Sequence, residues 1–99
     1  MKQGTKYDDG KLRWDLIPWG AVEEIVRVYT LGAEKYGDDN WKQGIYWRRI
    51  IGAIFRHFTA FVRGIDDDDE SGLPHLAHVG WGILTLLWYA KHRAEFDDR

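Results

Sequence analysis

The sequence predicts an all-α protein, with three main helices behind an extended N-terminal arm, forming one domain of an oligomeric helical bundle. Apolar residues recur at helical spacing in three segments of the 99-residue chain, and turn residues separate those segments. A chain of this length forms one domain. There is no cysteine, which excludes disulfides and thiolate metal sites and fits a reducing compartment.

Each predicted element has recognisable ends. The arm is polar and contains glycine, and Asp15 is a suitable N-cap for the first helix, with Pro18 tolerated in the first turn. Gly37 and Gly64 can end the first and second helices, and Pro74 suits the first turn of the third. The predicted bounds are 1–14 for the arm and 15–37, 46–63 and 74–95 for the helices, within a single domain of residues 1–99.

The third predicted helix is apolar on nearly every side of its middle, from Val79 to Ala90. A three-helix monomer cannot cover such a helix all round, so we predict a homo-oligomer whose interface includes helix three. The apolar run is too short to span a bilayer, and we expect no membrane partner. A net charge of -2 gives no global attraction to nucleic acid, and none is expected as a partner.

Five adjacent acids, Asp66 to Glu70, separate the second and third helices. Crowded carboxylates repel one another, and a divalent cation with a preference for oxygen ligands, Mg²⁺ or Mn²⁺, would relieve that repulsion. Because alternate residues of an extended loop point the same way, we expect Asp66, Asp68 and Glu70 to converge on the metal. The alternative is a solvated charged loop without an ion.

Three of the four histidines flank the acidic loop. His75 and His78 are three residues apart and share a helix face, while His57 reaches the same end if helices two and three are antiparallel. A mixed histidine and carboxylate site is possible there. The alternative is that His75 is a cap-region residue and His78 a hydrogen-bonded core residue.

Basic and aromatic residues could recognise a nucleotide. Basic side chains near a bound cation would neutralise phosphates, aromatic rings would stack on a base, and an asparagine would read the base edge. Ordinary surface charge and aromatic core packing are the alternatives. The predicted substrate-binding residues are Lys6, Lys11, Arg13, Lys35, Tyr36, Asn40, Trp41, Arg56 and His78.

Four segments together resemble a known family: residues 6–18, 32–41, 56–57 and 64–78. They resemble the phage-associated dATP/dGTP diphosphohydrolase N-terminal domain family, which is similar at a distance to MazG-like nucleotide pyrophosphatases. The resemblance implies an all-helical protein that hydrolyses a purine deoxynucleoside triphosphate to the monophosphate and pyrophosphate in phage-infected bacteria. The polar N-terminus, which has no apolar signal region, and the absence of cysteine predict a cytoplasmic location, the host cytoplasm if the protein is phage-encoded. MazG-like enzymes use Glu-x-x-Glu and Glu-x-x-Asp helices, whereas the candidate ligands here lie in the loop and on helix three.

The leading hypothesis is therefore metal-dependent hydrolysis of a purine deoxynucleoside triphosphate. Asp66, Asp68 and Glu70 would hold Mg²⁺ or Mn²⁺, and Glu70, His57 or His75 would serve as catalytic residues. The alternative function is a non-catalytic, sponge-like phage protein that sequesters a nucleotide or nucleotide signal. A purely structural helical oligomer is a third hypothesis, but it leaves the acids and histidines without a role.

Overall fold

The computed structural model describes residues 1–99 and confirms the all-α class. Three α-helices form the domain, α1 (Trp19–Tyr36), α2 (Trp47–Val62) and α3 (His75–His92). Single 3₁₀ turns at Trp14–Leu16, Asn40–Gln43 and Ala94–Phe96 precede α1, join α1 to α2, and follow α3.

The first helix begins four residues later than the sequence predicts. Pro18 stands at its N-cap position, and Asp15 lies in the preceding 3₁₀ turn instead of capping α1. The Asp15 carboxylate instead accepts from the guanidinium of Arg13, with a closest distance of 2.7 Å. At the other end of the chain, α3 stops at His92 and not at 95, because residues 94–96 tighten into a 3₁₀ turn.

The second and third helices form an antiparallel hairpin. His57 near the end of α2 contacts His75 at the start of α3, while Trp47 at the start of α2 donates to the carbonyl of Arg93 just after α3. Gly82 lies between these ends, where a Cβ atom would collide with Ile54 of α2. The absence of a side chain at Gly82 therefore permits the close approach of the two helices.

The core lies at the Trp47 end of this hairpin. Trp47, Ile50 and Tyr89 are buried together, and Tyr89 is fully enclosed. The Tyr89 hydroxyl donates to the carbonyl of Trp41, which fastens the 3₁₀ turn between α1 and α2 onto α3. On the α1 side, the hydroxyls of Tyr29 and Thr85 are hydrogen-bonded at 2.8 Å.

The α2–α3 hairpin carries large apolar side chains that the rest of the chain covers only in part. On α3, Ile83, Leu84 and Leu87 are 48%, 44% and 63% exposed. A homo-oligomer through helix three stays a prediction, and sedimentation that finds a stable monomer at micromolar concentration would contradict it. None of the three helices combines the length and apolar character needed to cross a bilayer.

Candidate functional site

The acidic loop between α2 and α3 is folded back on itself by backbone hydrogen bonds. The Asp68 amide donates to the carbonyl of Leu73 and the Gly72 amide donates to the carbonyl of Asp68, at 2.8 and 2.7 Å. The His75 amide donates to the carbonyl of Asp66 at 2.8 Å. Gly72 has a φ of +74°, a conformation that favours glycine and allows the chain to reverse. This turn directs Asp68 towards the start of α3.

Asp68 is the acid of the loop whose side chain is enclosed, with 15% of it exposed. Its Oδ2 atom accepts from the amide and hydroxyl of Ser71 at 3.1 and 2.8 Å. The Ser71 hydroxyl oxygen also lies 2.7 Å from Nε2 of His78 and accepts from the Leu73 amide. These hydrogen bonds fix the carboxylate in one orientation.

Asp66 and Glu70 lie in a different environment. Both residues are exposed, as are Asp67 and Asp69. Because the loop reverses instead of running straight, the alternation expected of an extended segment does not operate here. Of the predicted set of three carboxylates, Asp68 is thus the one that the turn brings to the histidines.

Three histidine rings meet beside Asp68. The Nδ1 atoms of His57 and His75 are 2.8 Å apart, so one must carry a proton and the other accept it. His78 stacks on His57 with ring centroids 4.4 Å apart and planes 8° from parallel. The alternatives that the sequence allows are a cap-region position for His75 and a core position for His78. Both residues belong to the histidine cluster, and His75 is buried at the first position of α3.

The electrostatic environment favours the protonation states in which this cluster can bind a cation. Burial lowers the pKa of His57 below its ordinary value, and His78 lowers it further against the opposing effect of Asp68. Burial likewise lowers the pKa of His78, although Asp68 raises it. For Asp68, burial raises the pKa, but the hydrogen bonds from Ser71 outweigh burial and the net shift is downward. Neutral imidazoles and an ionised carboxylate are the forms that bind cations.

A cavity of about 470 Å³ adjoins the cluster. It lies between α1, the following 3₁₀ turn, and the starts of α2 and α3. Several predicted substrate-binding residues line it: Lys35, Tyr36, Asn40, Trp41 and His78. His78 belongs to both the cavity wall and the histidine cluster, and it is the residue through which the two features adjoin. We call this space the α1–α3 cavity.

The two aromatic rings of the cavity differ in position. Tyr36 is 67% exposed, beside the ammonium of Lys35 at 5.8 Å from the ring centroid. Trp41 is half-buried and packs edge-on against Tyr29 and Trp88, with centroid distances of 5.3 and 5.1 Å. The exposed ring of Tyr36 is therefore free to stack on a base, whereas part of the Trp41 ring is already packed in the core.

The remaining predicted basic residues do not line the cavity. Lys6, Lys11 and Arg13 lie in the exposed arm. Arg56 is exposed on α2. For the three arm residues, the predicted contact with substrate would require movement of the arm. For Arg56, it would require a substrate that extends beyond the cavity.

Comparison with known proteins identifies the family to which this chain belongs. The family described as dATP/dGTP diphosphohydrolase, N-terminal, matches residues 1–99. The chain belongs to this family. It is 40% identical over 96 residues to a protein of Salmonella phage PMBT28 named dATP/dGTP diphosphohydrolase, a match that covers 97% of this chain and 33% of that protein.

A second relative is the uncharacterized protein y4bO of Sinorhizobium fredii. It is 34% identical over 67 residues, which cover 68% of this chain and 11% of that protein. The diphosphohydrolase N-terminal domain thus spans about a third of the phage relative and a tenth of the bacterial one. No solved structure matches the chain significantly.

Two residues of this family domain were not among the predicted site residues. Ser71 orients Asp68, and its spacing of three residues from an aspartate in a glycine-rich loop is a usable signal. Arg49 lines the α1–α3 cavity, and its place at the start of α2, just after the Asn40–Trp41 segment, could have indicated this.

Proposed function

We propose that this domain binds a purine deoxynucleoside triphosphate in the α1–α3 cavity and hydrolyses it to the monophosphate and pyrophosphate with a divalent cation. The observation that carries the proposal is the position of Lys35, Tyr36 and Asn40 around one cavity that adjoins the histidine cluster. A volume of about 470 Å³ lies in the range of small-molecule sites. The name of the phage relative supports the same substrate class.

Each group of the cavity has a chemical role in this proposal. Lys35 and Arg49 line the cavity and supply positive charge to the phosphates. Tyr36 offers its exposed ring to the purine, and stacking of this kind contributes about 1–3 kcal/mol per base. The amide of Asn40 both donates and accepts, so it can pair with the purine edge.

The hydrolytic step needs a base for water. Water attacks the α-phosphorus, the bond from that phosphorus to the bridging oxygen breaks, and pyrophosphate leaves. His78 lines the cavity, and only its Nε2 atom is hydrogen-bonded to Ser71, so its Nδ1 atom is suited to take the proton from water. Burial lowers the pKa of His78 and keeps the imidazole neutral at pH 7. A divalent cation, for which the sequence predicts Mg²⁺ or Mn²⁺, would supply positive charge to the phosphate oxygens when bound.

Product analysis tests this function directly. The purified protein is incubated with dATP, dGTP, dCTP or dTTP and Mn²⁺, and pyrophosphate release is followed. We expect release from dATP and dGTP, and no turnover of any nucleotide would overturn the proposal. Lys35→Ala should weaken nucleotide binding about tenfold. Lys91→Ala removes an exposed lysine of α3 outside the cavity and should change nothing.

One observation favours non-catalytic nucleotide binding as a second candidate. The chain spans 33% of the phage relative, which leaves room for the reaction to occur in the remainder of that protein. Native mass spectrometry separates the two candidates. Stoichiometric dATP or dGTP recovered intact, with no pyrophosphate released, would support binding alone.

A further inference from the structure

We propose that His57, His75 and Asp68 form a binding site for one first-row transition-metal dication, and that this site discriminates against Mg²⁺. The site differs from the three-carboxylate set that the sequence predicts, because two of its ligands are imidazoles. Its catalytic use rests on the proposed function. Its occupancy by metal does not, and is measured without nucleotide.

The geometry of the histidine pair is the first argument. Nitrogen ligands lie about 2.0–2.1 Å from such a metal, so two adjacent ligands are about 2.9 Å apart in octahedral and about 3.4 Å apart in tetrahedral geometry. The Nδ1 atoms of His57 and His75 are 2.8 Å apart. Ligand atoms of His57, His75 and Asp68 all lie within 4.8 Å of one another. The ring centroids are 5.1 Å apart, so the two nitrogens point at each other. A metal bound to both would lie beside the line that joins them, and each ring would turn by roughly 35–45° to direct its lone pair at the metal.

The hydrogen bonds of Asp68 are the second argument. An ionised carboxylate only accepts, so the Ser71 hydroxyl must donate to Oδ2, and His78 Nε2 must then donate to that hydroxyl. Both Ser71 hydrogen bonds of the carboxylate end on Oδ2, which leaves Oδ1 available to a cation. Ser71 and His78 therefore act as positioning residues, the arrangement that supports metal ligands in proteins.

The donor set determines the class of metal. Imidazole nitrogen suits Fe²⁺, Ni²⁺, Cu²⁺ and Zn²⁺, whereas Mg²⁺ prefers oxygen ligands and retains its water. The exposed Asp66 and Glu70 offer only oxygen. Three protein ligands would leave coordination positions open for water or substrate.

Metal titration without nucleotide tests the site. EDTA-treated protein of residues 1–99 is titrated calorimetrically with Mn²⁺, Co²⁺, Ni²⁺ and Mg²⁺, and Co²⁺ binding is also followed by its visible absorption. We expect one ion per chain and an affinity at least about tenfold higher for Ni²⁺ than for Mn²⁺, the order that nitrogen ligands impose. Millimolar Mg²⁺ should not displace Co²⁺.

Variants identify the ligands. His57→Gln and Asp68→Asn should each weaken Co²⁺ binding about 100-fold, and Ser71→Ala about tenfold. The matched controls are the double variant Asp66→Asn with Glu70→Gln, and His92→Gln outside the cluster, which should change binding less than about threefold. Asp68→Asn keeps the shape of the side chain, so it remains informative if a histidine variant fails to fold.

The opposite pattern would overturn the site. Equal affinity for Mg²⁺ and Co²⁺, or loss of binding in the Asp66/Glu70 variant with retention in Asp68→Asn, would assign the metal to the exposed acids. Failure of nucleotide hydrolysis would leave these metal curves unchanged, so the two proposals fail independently.

Discussion

At the Tyr89 end of the α2–α3 hairpin, buried polar atoms have fixed partners, whereas at the His75 end two ring nitrogens face each other. Tyr89 and Trp47 donate to the backbone carbonyls of Trp41 and Arg93. His57 and His75 share one proton between their Nδ1 atoms. A backbone carbonyl cannot be replaced by a ligand, but a shared proton can be replaced by a cation. One end of the hairpin therefore stabilises the fold, and the other end is suited to bind a cation.

The largest expected effect separates the two ends by stability. Tyr89→Ala removes a fully enclosed aromatic ring and should lower the free energy of unfolding by about 3–5 kcal/mol. His57→Ala removes a half-buried ring with one hydrogen bond and should cost roughly 1 kcal/mol. Urea denaturation of the metal-free proteins measures both. Similar losses would remove the distinction between the ends.

A glycine between the two ends tests whether close helix approach holds both in place. Gly82→Ala places a methyl group against Ile54 and should cost about 1–3 kcal/mol. Gly20→Ala is the matched control in α1, where no atom lies near the added carbon, and it should be neutral or gain up to about 1 kcal/mol. Thermal unfolding of the two variants gives the comparison, and an equal response would show that the helices can separate without penalty.

A single hydroxyl sharpens the comparison further. Tyr89→Phe keeps the ring and removes only the donor to the Trp41 carbonyl, so the expected loss is about 0.5–1.5 kcal/mol. Chemical denaturation gives the stability, and calorimetric Co²⁺ titration gives the metal affinity. The substitution should leave metal affinity unchanged, because Tyr89 lies at the opposite end of the hairpin. A joint fall of stability and metal affinity would couple the two ends.

The smallest expected effect is a dependence of stability on pH that arises at the histidine end. The folded-state pKa values of His57 and His78 lie below their ordinary value of about 6.5, so between those values the unfolded chain binds more protons. Their contribution to stability is present above about pH 6.5 and is lost as the pH falls through the folded-state values. Melting temperatures of metal-free protein should therefore fall on acidification below about pH 6.5.

A matched pair of variants assigns that pH dependence. His57→Gln should reduce the fall in melting temperature, while His92→Gln, on an exposed residue near the end of α3, should retain it. An unchanged slope in His57→Gln would place its origin outside the cluster.

Helical periodicity was enough to predict the three helices and the meeting of His57, His75 and His78 at one junction. A short connection between two apolar helices leaves them few alternatives to antiparallel packing. The start of α1 could not be placed from propensity alone. Asp15 is a good N-cap residue, yet Pro18 and the Arg13–Asp15 ion pair shift the helix to Trp19.

Some residues of the candidate site could be predicted from the sequence, and others could not. Lys35, Tyr36 and Asn40 are close in sequence around the end of α1, so their shared cavity follows from local structure. Arg49 and Arg56 look equivalent on α2, but only Arg49 lines the cavity. That difference depends on the tertiary packing at the start of α2, which no local pattern encodes.

The sequence by itself determined which residue types gather at the α2–α3 junction, because helix spacing and a short loop constrain where a side chain can be. Only the tertiary structure decided which acid joins the histidines. Backbone hydrogen bonds from Asp68 and His75 reverse the loop, and Ser71 then orients the Asp68 carboxylate. Five neighbouring acids have nearly the same chemistry, and the backbone geometry of the folded loop, which sequence spacing does not contain, distinguishes between them.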